Sequence, residues 1–178
     1  MNSQYNNKTI LMVDDDPDDF FLVRDAFWQS GFQGKLHLVS DGQELMDYLY
    51  RCGKFRRLHR SPLPSLILLD LHMPGKDGRE ALMEIKNDPD FRRIPIVIFT
   101  SSREEEDVSY CYELGASSYV NKPASFDALV ALISILEEYW LGTAKLPMCS
   151  GREGFESSLS PPSLTLLRRE DPDRDLGM

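Results

Sequence analysis

Cysteine is scarce. The 178 residues hold three, Cys52, Cys111 and Cys149, an odd number at wide spacing. Neither a disulfide framework nor a zinc site is implied. No apolar run approaches the length of a membrane span. The N-terminus, MNSQYNNKTI, lacks the apolar stretch of a secretory signal. A cytoplasmic protein with no membrane partner is the expectation. Positive charge is also in deficit, with a formal net charge of −9. A nucleic-acid partner would need a concentrated basic patch. The one candidate, Arg51, Lys54, Arg56, Arg57 and Arg60, reads as a solvated loop, so no nucleic-acid partner is expected. What remains, 42% hydrophobic and 28% charged, is ordinary for a globular chain. The length suits one domain with a sizeable core and some residues to spare.

Five short apolar or alternating runs stand out: Thr9 to Val13, Lys35 to Val39, Leu66 to Leu69, Ile96 to Phe99 and Ser118 to Asn121. Each is followed by a helical pattern. Asp16-Pro17 has the chemistry of a helix start, with Asp18 and Asp19 in the first turn. Phe20, Val23, Phe27 and Trp28 follow at helical spacing, and Gly31 stops the helix. Asp41-Gly42 opens a helix carrying Leu45, Met46 and Leu49, and Gly53 to Pro64 reads as a basic loop. Met73 to Gly78 is turn chemistry before a helix with Ala81, Leu82 and Ile85. Glu104 to Leu114 is a helix closed by Gly115. Ser125 to Trp140 is the last helix, with Phe126, Leu129, Val130, Ile133 and Leu136 on one face. Tyr139, Trp140 and Leu141 read as core more than interface.

Regular strand–helix alternation predicts a doubly wound, flavodoxin-like (βα)5 fold around a five-stranded parallel sheet. Runs such as LILL and IVIF, apolar on both faces, suit buried parallel strands. Residues 1-8 read as a polar extension and 9-147 as the domain. Residues 148-178, rich in Ser, Pro, Gly and charge, read as a disordered tail. Leu164 to Arg169 within it leaves a short helix or docking motif open.

Ligands of open parallel sheets bind beyond the carboxyl ends of the strands. Here those ends carry Asp14 and Asp15, Asp70, Thr100 and Lys122. Three carboxylates facing one crevice stay ionised together only beside cations. Lys122 supplies one positive charge, and a hard divalent ion with oxygen ligands, magnesium, supplies the rest. With phosphate added, the same parts acquire roles: a carboxylate nucleophile, an ammonium that neutralises oxygen, and a hydroxyl donor.

The acid pair after the first strand, Asp70 in DLHMPGKDG, Thr100-Ser101-Ser102, and Tyr119-Val120-Asn121-Lys122-Pro123 together resemble the marks of response regulator receiver domains. The likeness runs from about Thr9 to about Leu146. It implies that Asp70 is the phosphoryl acceptor, that Asp15 ligates Mg2+ directly and Asp14 through water, and that the backbone carbonyl of His72 is a further ligand. It implies that Lys122 pairs with the phosphoryl group while Thr100 and Tyr119 switch position. It also implies a cis Lys122–Pro123 peptide. The finer resemblance is to single-domain receivers that pair with bacterial phytochromes. It rests on the basic loop before the third strand, the DGRE-x-L-x-E-I-K-x-D-P helix, R-R-I-P, Y-E-L-G-A and the EEYW-L…LP ending. The partner implied is a sensor histidine kinase of phytochrome-like type. A homodimer through the last helix and its neighbours, and the lack of a DNA-binding output domain, fit the same group.

Three other readings compete. An aspartyl phosphatase, a true enzyme, wants a second Asp two residues after the nucleophile, where this chain has His72. A binding module that has lost the reaction would lack an acid or the Lys, and none is missing. A phosphate sink or relay shares the chemistry and differs only in its partner. His72 itself is open between tuning the phosphoryl lifetime and simple exposure, as is Ser102. Tyr119 keeps a plain packing role as an alternative.

Overall fold

The computed structural model describes residues 8–147. The expectations for the N-terminal extension, the tail and Cys149 lie outside the described residues.

Five strands, β1 (Thr9–Val13), β2 (Lys35–Val39), β3 (Leu66–Leu69), β4 (Ile96–Thr100) and β5 (Ser118–Asn121), form one parallel sheet in the order β2-β1-β3-β4-β5. Five helices alternate with them: α1 (Pro17–Ser30), α2 (Gly42–Leu49), α3 (Gly78–Asn87), α4 (Glu105–Glu113) and α5 (Phe126–Glu137). This is the expected doubly wound fold. The three inner strands are buried along their whole length, which parallel strands covered on both faces require. The two edge strands, KLHLV and SYVN, are only partly covered.

Period-2 alternation divides the core in two. Leu11, Val13, Ile67, Leu69, Ile96 and Ile98 face α2, α3 and Cys111 of α4. Ile10, Met12, Leu66, Leu68, Val97 and Phe99 face α1 and α5. The helices are started by local capping. The Asp16 side chain accepts from Asp18 N–H, and Asp77 and Glu80 form a reciprocal capping box at α3. Gly31 closes α1 with a left-handed φ of 86°.

Gly78 places α3 against the end of β3. Its N–H donates to the Leu71 carbonyl at 3.0 Å, and a Cβ built there would lie 2.0 Å from the Asp70 carbonyl oxygen. Only glycine lets the helix start so close to the end of β3.

Several expectations need correction. The basic segment is not all loop: Gly53–Leu58 forms a 3-10 helix. The last α-helix gives way to wider π turns over Glu138–Thr143 before its expected end. Trp28 is 83% exposed, because Val23, Ala26 and Phe27 define the inward face of α1 and Trp28 is turned about 100° away from Phe27. Phe126, at the first position of α5, is partly exposed, and burial on that helix starts a turn later at Leu129. The Lys122–Pro123 peptide is trans, as is every peptide bond among the described residues. Trans is the lower-energy isomer even before proline, and with it the Lys122 side chain reaches the carboxylates described next. Tyr139 is 54% exposed, whereas Leu141 is buried and Trp140 packs against the α1/α5 core.

Candidate functional site

The ladder that builds the sheet also delivers the site. Asp14 N–H donates to the Val39 carbonyl at 3.0 Å, Asp70 N–H to Val13 at 2.9 Å and Lys122 N–H to Thr100 at 2.8 Å. Each functional residue is therefore the first residue past its strand, or close to it, and its backbone is held by the neighbouring strand.

At the centre is the Lys122 ammonium. Nζ lies 2.8 Å from Asp14 Oδ2, 2.6 Å from Asp19 Oδ2 and 3.2 Å from Asp70 Oδ2. The other oxygens are used locally: Asp14 Oδ1 accepts from Asp16 N–H at 3.0 Å, and Asp70 Oδ1 from Leu71 N–H at 2.7 Å. Asp14 and Asp70 are buried, while Asp15 is exposed at the mouth. One ligand oxygen from each of Asp14, Asp15 and Asp70 falls within 4.8 Å of the others. Three hard oxygen donors so close suit a hard divalent cation. Asp14 and Asp70 also share one ammonium, which leaves an excess of negative charge for such an ion to neutralise.

Burial pushes the Asp14 carboxyl up to about 6, against the pull of Lys122, which is itself held protonated above the usual lysine range by its carboxylate partners despite its burial. The linkage has a definite sign. Because the folded-state value lies above the unfolded value of 3.8, folding takes up a proton in the window between them. Stability from this group is greatest below that window, falls as pH rises through it, and is flat above about 6. The expected loss is roughly 2–3 kcal/mol. In chelator, urea unfolding of wild type minus that of Asp14→Asn should show this decline between pH 4 and pH 6. A difference that is flat, or that rises with pH, refutes it.

The residues expected to switch, Thr100 and Tyr119, sit to one side. Thr100 is fully buried, and its hydroxyl oxygen accepts from Ser102 N–H at 3.4 Å. The Tyr119 hydroxyl donates to the Ser102 carbonyl at 3.2 Å, and Asn121 Nδ2 donates to the same carbonyl. His72 is exposed, with its N–H 3.5 Å from Asp70 Oδ1. The structure thus brings Asp14, Asp70 and Lys122 into contact, with Asp15 at the rim, and leaves Thr100 and Tyr119 joined through Ser102. Sequence reasoning missed Asp19 as a site residue, because its place in the first turn of α1 has a sufficient explanation in helix electrostatics. It also passed over Asn121, for which a strand-end amide gives no signal.

Of the basic residues, Lys54, Arg56, Arg57 and Arg60 are exposed as expected, whereas Arg51 is half-buried and its guanidinium donates to the carbonyls of Tyr48, Ser61 and Pro62. Among the described residues no helix is long and apolar enough to cross a membrane.

The comparisons agree with this geometry. The response regulator receiver domain family matches residues 10–134. Response regulator Rcp1 of Synechocystis is 41% identical over 140 residues, covering 79% of this chain and 93% of Rcp1. The crystal structure of its Mn2+-bound form superposes with a TM-score of 0.71, over 79% of this chain and 99% of that one. The phosphorylated cyanobacterial phytochrome response regulator RcpA is 40% identical, with a TM-score of 0.73 over 79% of this chain and 99% of that chain. RPA3017, a response regulator in red light signalling of R. palustris, is 30% identical with a TM-score of 0.74 over 79% and 98%. Fold, acidic cluster and sequence point the same way: the chain belongs to the response regulator receiver domain family and is homologous to the phytochrome response regulators of two-component signalling.

Proposed function

We propose that this receiver accepts a phosphoryl group onto Asp70 with Mg2+ held by Asp14, Asp15, Asp70 and the backbone carbonyl of His72. The observation that carries the reading is the pairing of buried Asp70 and Asp14 with a single ammonium, Lys122, at the carboxyl edge of the sheet. A phosphohistidine on a sensor histidine kinase is the donor. A carboxylate oxygen of Asp70 forms the new bond to phosphorus as the phosphorus–nitrogen bond breaks, and the electron pair leaves on the imidazole. A bound Mg2+ supplies charge neutralisation at the carboxylate and phosphoryl oxygens.

The remaining steps belong to the chain. Lys122 neutralises a phosphoryl oxygen, which requires it to release part of its hold on Asp14 and Asp19. The Thr100 hydroxyl turns toward another oxygen, and Tyr119 moves into the space it leaves. Population shift between two packings then alters the surface around β4, β5 and α5. The likeness to RcpA and Rcp1 supports a phytochrome-like kinase as the partner. Exposed Ile135 and Tyr139 on the outer side of α5 and the turns after it support a homodimer through that face. A cytoplasmic site and a signalling role without turnover of its own complete the reading.

The test is intact-mass analysis after incubation with phosphoramidate. Gain of one phosphoryl group that needs Mg2+ and is removed by hydroxylamine, as an acyl phosphate is, supports the proposal. No gain, or a gain indifferent to Mg2+, refutes it.

A further inference from the structure

A second charged cluster lies beside the acceptor site and outside it. Arg79, the second residue of α3, donates from Nε and Nη2 to Asp107 Oδ1 at 3.0 and 2.5 Å. Asp107 stands in the first turn of α4 and is buried. Its other oxygen accepts from Ser102 Oγ at 2.7 Å. Ser102 in turn holds Thr100 through its N–H, and Tyr119 and Asn121 through its carbonyl.

The two ends of this chain of bonds are the two parts of the site. Arg79 follows Gly78, which is fixed against the Asp70 carbonyl. Ser102 is two residues past Thr100. The Asp107 carboxylate joins them, and although burial opposes its charge, the hydrogen bonds from Arg79 and Ser102 hold it below the usual carboxylate range. A charge-assisted bond to a buried carboxylate is a strong one. Thr100 is buried and its hydroxyl oxygen accepts from Ser102 N–H, so turning that side chain toward a group on Asp70 breaks this bond and loosens the segment after β4. The Asp107 tether resists that loosening.

We infer that Arg79 and Asp107 are positioning residues that act through Ser102 to hold the Thr100–Ser102 segment in its resting place, and so set how readily it shifts when Asp70 is phosphorylated. The inference rests on the acceptor reading of Asp70 above. Coupling between two placements is reciprocal: a tether that opposes the shift also weakens whatever binds the shifted form.

The experiment uses the full chain with Mg2+ and beryllium fluoride as a stand-in for the phosphoryl group. Affinity is measured for wild type, Ser102→Ala, Asp107→Asn, Arg79→Ala, Arg79→Lys and the Arg79→Ala/Asp107→Asn double variant. Each single tether-breaking variant is expected to bind roughly 5- to 20-fold tighter than wild type. The double variant should bind no tighter than either single, since both cut one connection. Arg79→Lys, which keeps the charge, should return most of the way to wild type. Amide NMR supplies a readout that general loosening would not move. In the fluoride-free variants, the Thr100 and Ser102 resonances should be displaced toward their wild-type beryllofluoride positions. Ser102→Ala removes no buried charge, so it keeps the test decisive if Asp107→Asn unfolds. Unchanged or weaker binding in Ser102→Ala, or additive effects in the double variant, overturns the tether. Wild type that fails to bind beryllofluoride overturns the acceptor reading itself, a separate result.

Discussion

Asp70→Asn is expected to take up no phosphoryl group and yet to be more stable than wild type in the absence of divalent ions. The loss follows from removing the nucleophile, since an amide oxygen does not form the acyl phosphate. The gain in stability follows from the charge distribution. Asp14, Asp19 and Asp70 all bond to the one ammonium of Lys122, and Asp15 stands at the rim. Taking away one of these negative charges relieves repulsion inside a buried site. The amide oxygen can still accept from Leu71 N–H, so the local turn need not change. A gain of about 1 kcal/mol in chelator is the expected size. Mg2+ should reverse the order, because the wild-type site binds it better and ligand binding stabilises the folded state by mass action. Urea unfolding with and without Mg2+, alongside intact mass, measures both halves. A variant that still gains a phosphoryl group places the acceptor elsewhere. One that is destabilised in chelator shows that the carboxylates do not repel.

Lys122→Ala should fail in the opposite direction. Its removal leaves Asp14 and Asp70 buried with no cation beside them. Breaking such a pair by removing one partner costs about 3–5 kcal/mol when it is fully buried. Asp19 is only partly covered, and the site opens to solvent at Asp15, so about 2–4 kcal/mol is expected here. Mg2+ should recover part of that loss, and more than it adds to wild type. The rate of phosphorylation by phosphoramidate in saturating Mg2+ should fall by on the order of 100-fold, the effect of removing one preorganised electrostatic partner of a developing charge. A variant as stable as wild type in chelator would mean that the carboxylates are not held together by Lys122. An unchanged rate would remove Lys122 from the reaction.

How much of this was legible in the sequence depends on the range of the interaction concerned. Strands and helices follow from local periodicity and caps, and Asp16-Pro17 and Asp41-Gly42 stand at the starts of α1 and α2 as read, while Asp77, read only as part of a turn, caps α3. The clustering of Asp14, Asp15, Asp70 and Lys122 was legible because the topology of parallel sheets carries strand ends to one edge. Trp28 was misplaced because helical spacing alone does not say which of two adjacent aromatics, Phe27 or Trp28, faces the sheet. Asp19 was explained too early by its place in a helix start, when its partner lies on the far side of β5. The Arg79–Asp107–Ser102 chain ties the start of α3 to the start of α4 and the loop before it, and leaves no periodic trace. The trans Lys122–Pro123 bond shows the limit of resemblance, which carries over a residue pattern more safely than a backbone isomer.

The strand order also bears on how the molecule folds. With every neighbour parallel, the sheet contains no hairpin, and each pairing must wait for a crossover. The β1–β2 and β3–β4 units can form from continuous segments, each strand pair joined by the elements between them. The β1–β3 pairing, which sets Val13 beside Leu69, joins the two halves across everything from α1 to the 3-10 helix. Closing it carries the largest loop entropy in the sheet and should fall late on the folding route. Asp14 and Asp70 come from those two strands, so their mutual repulsion arises only as the halves meet. Divalent ions should therefore speed the last step of refolding more than the first.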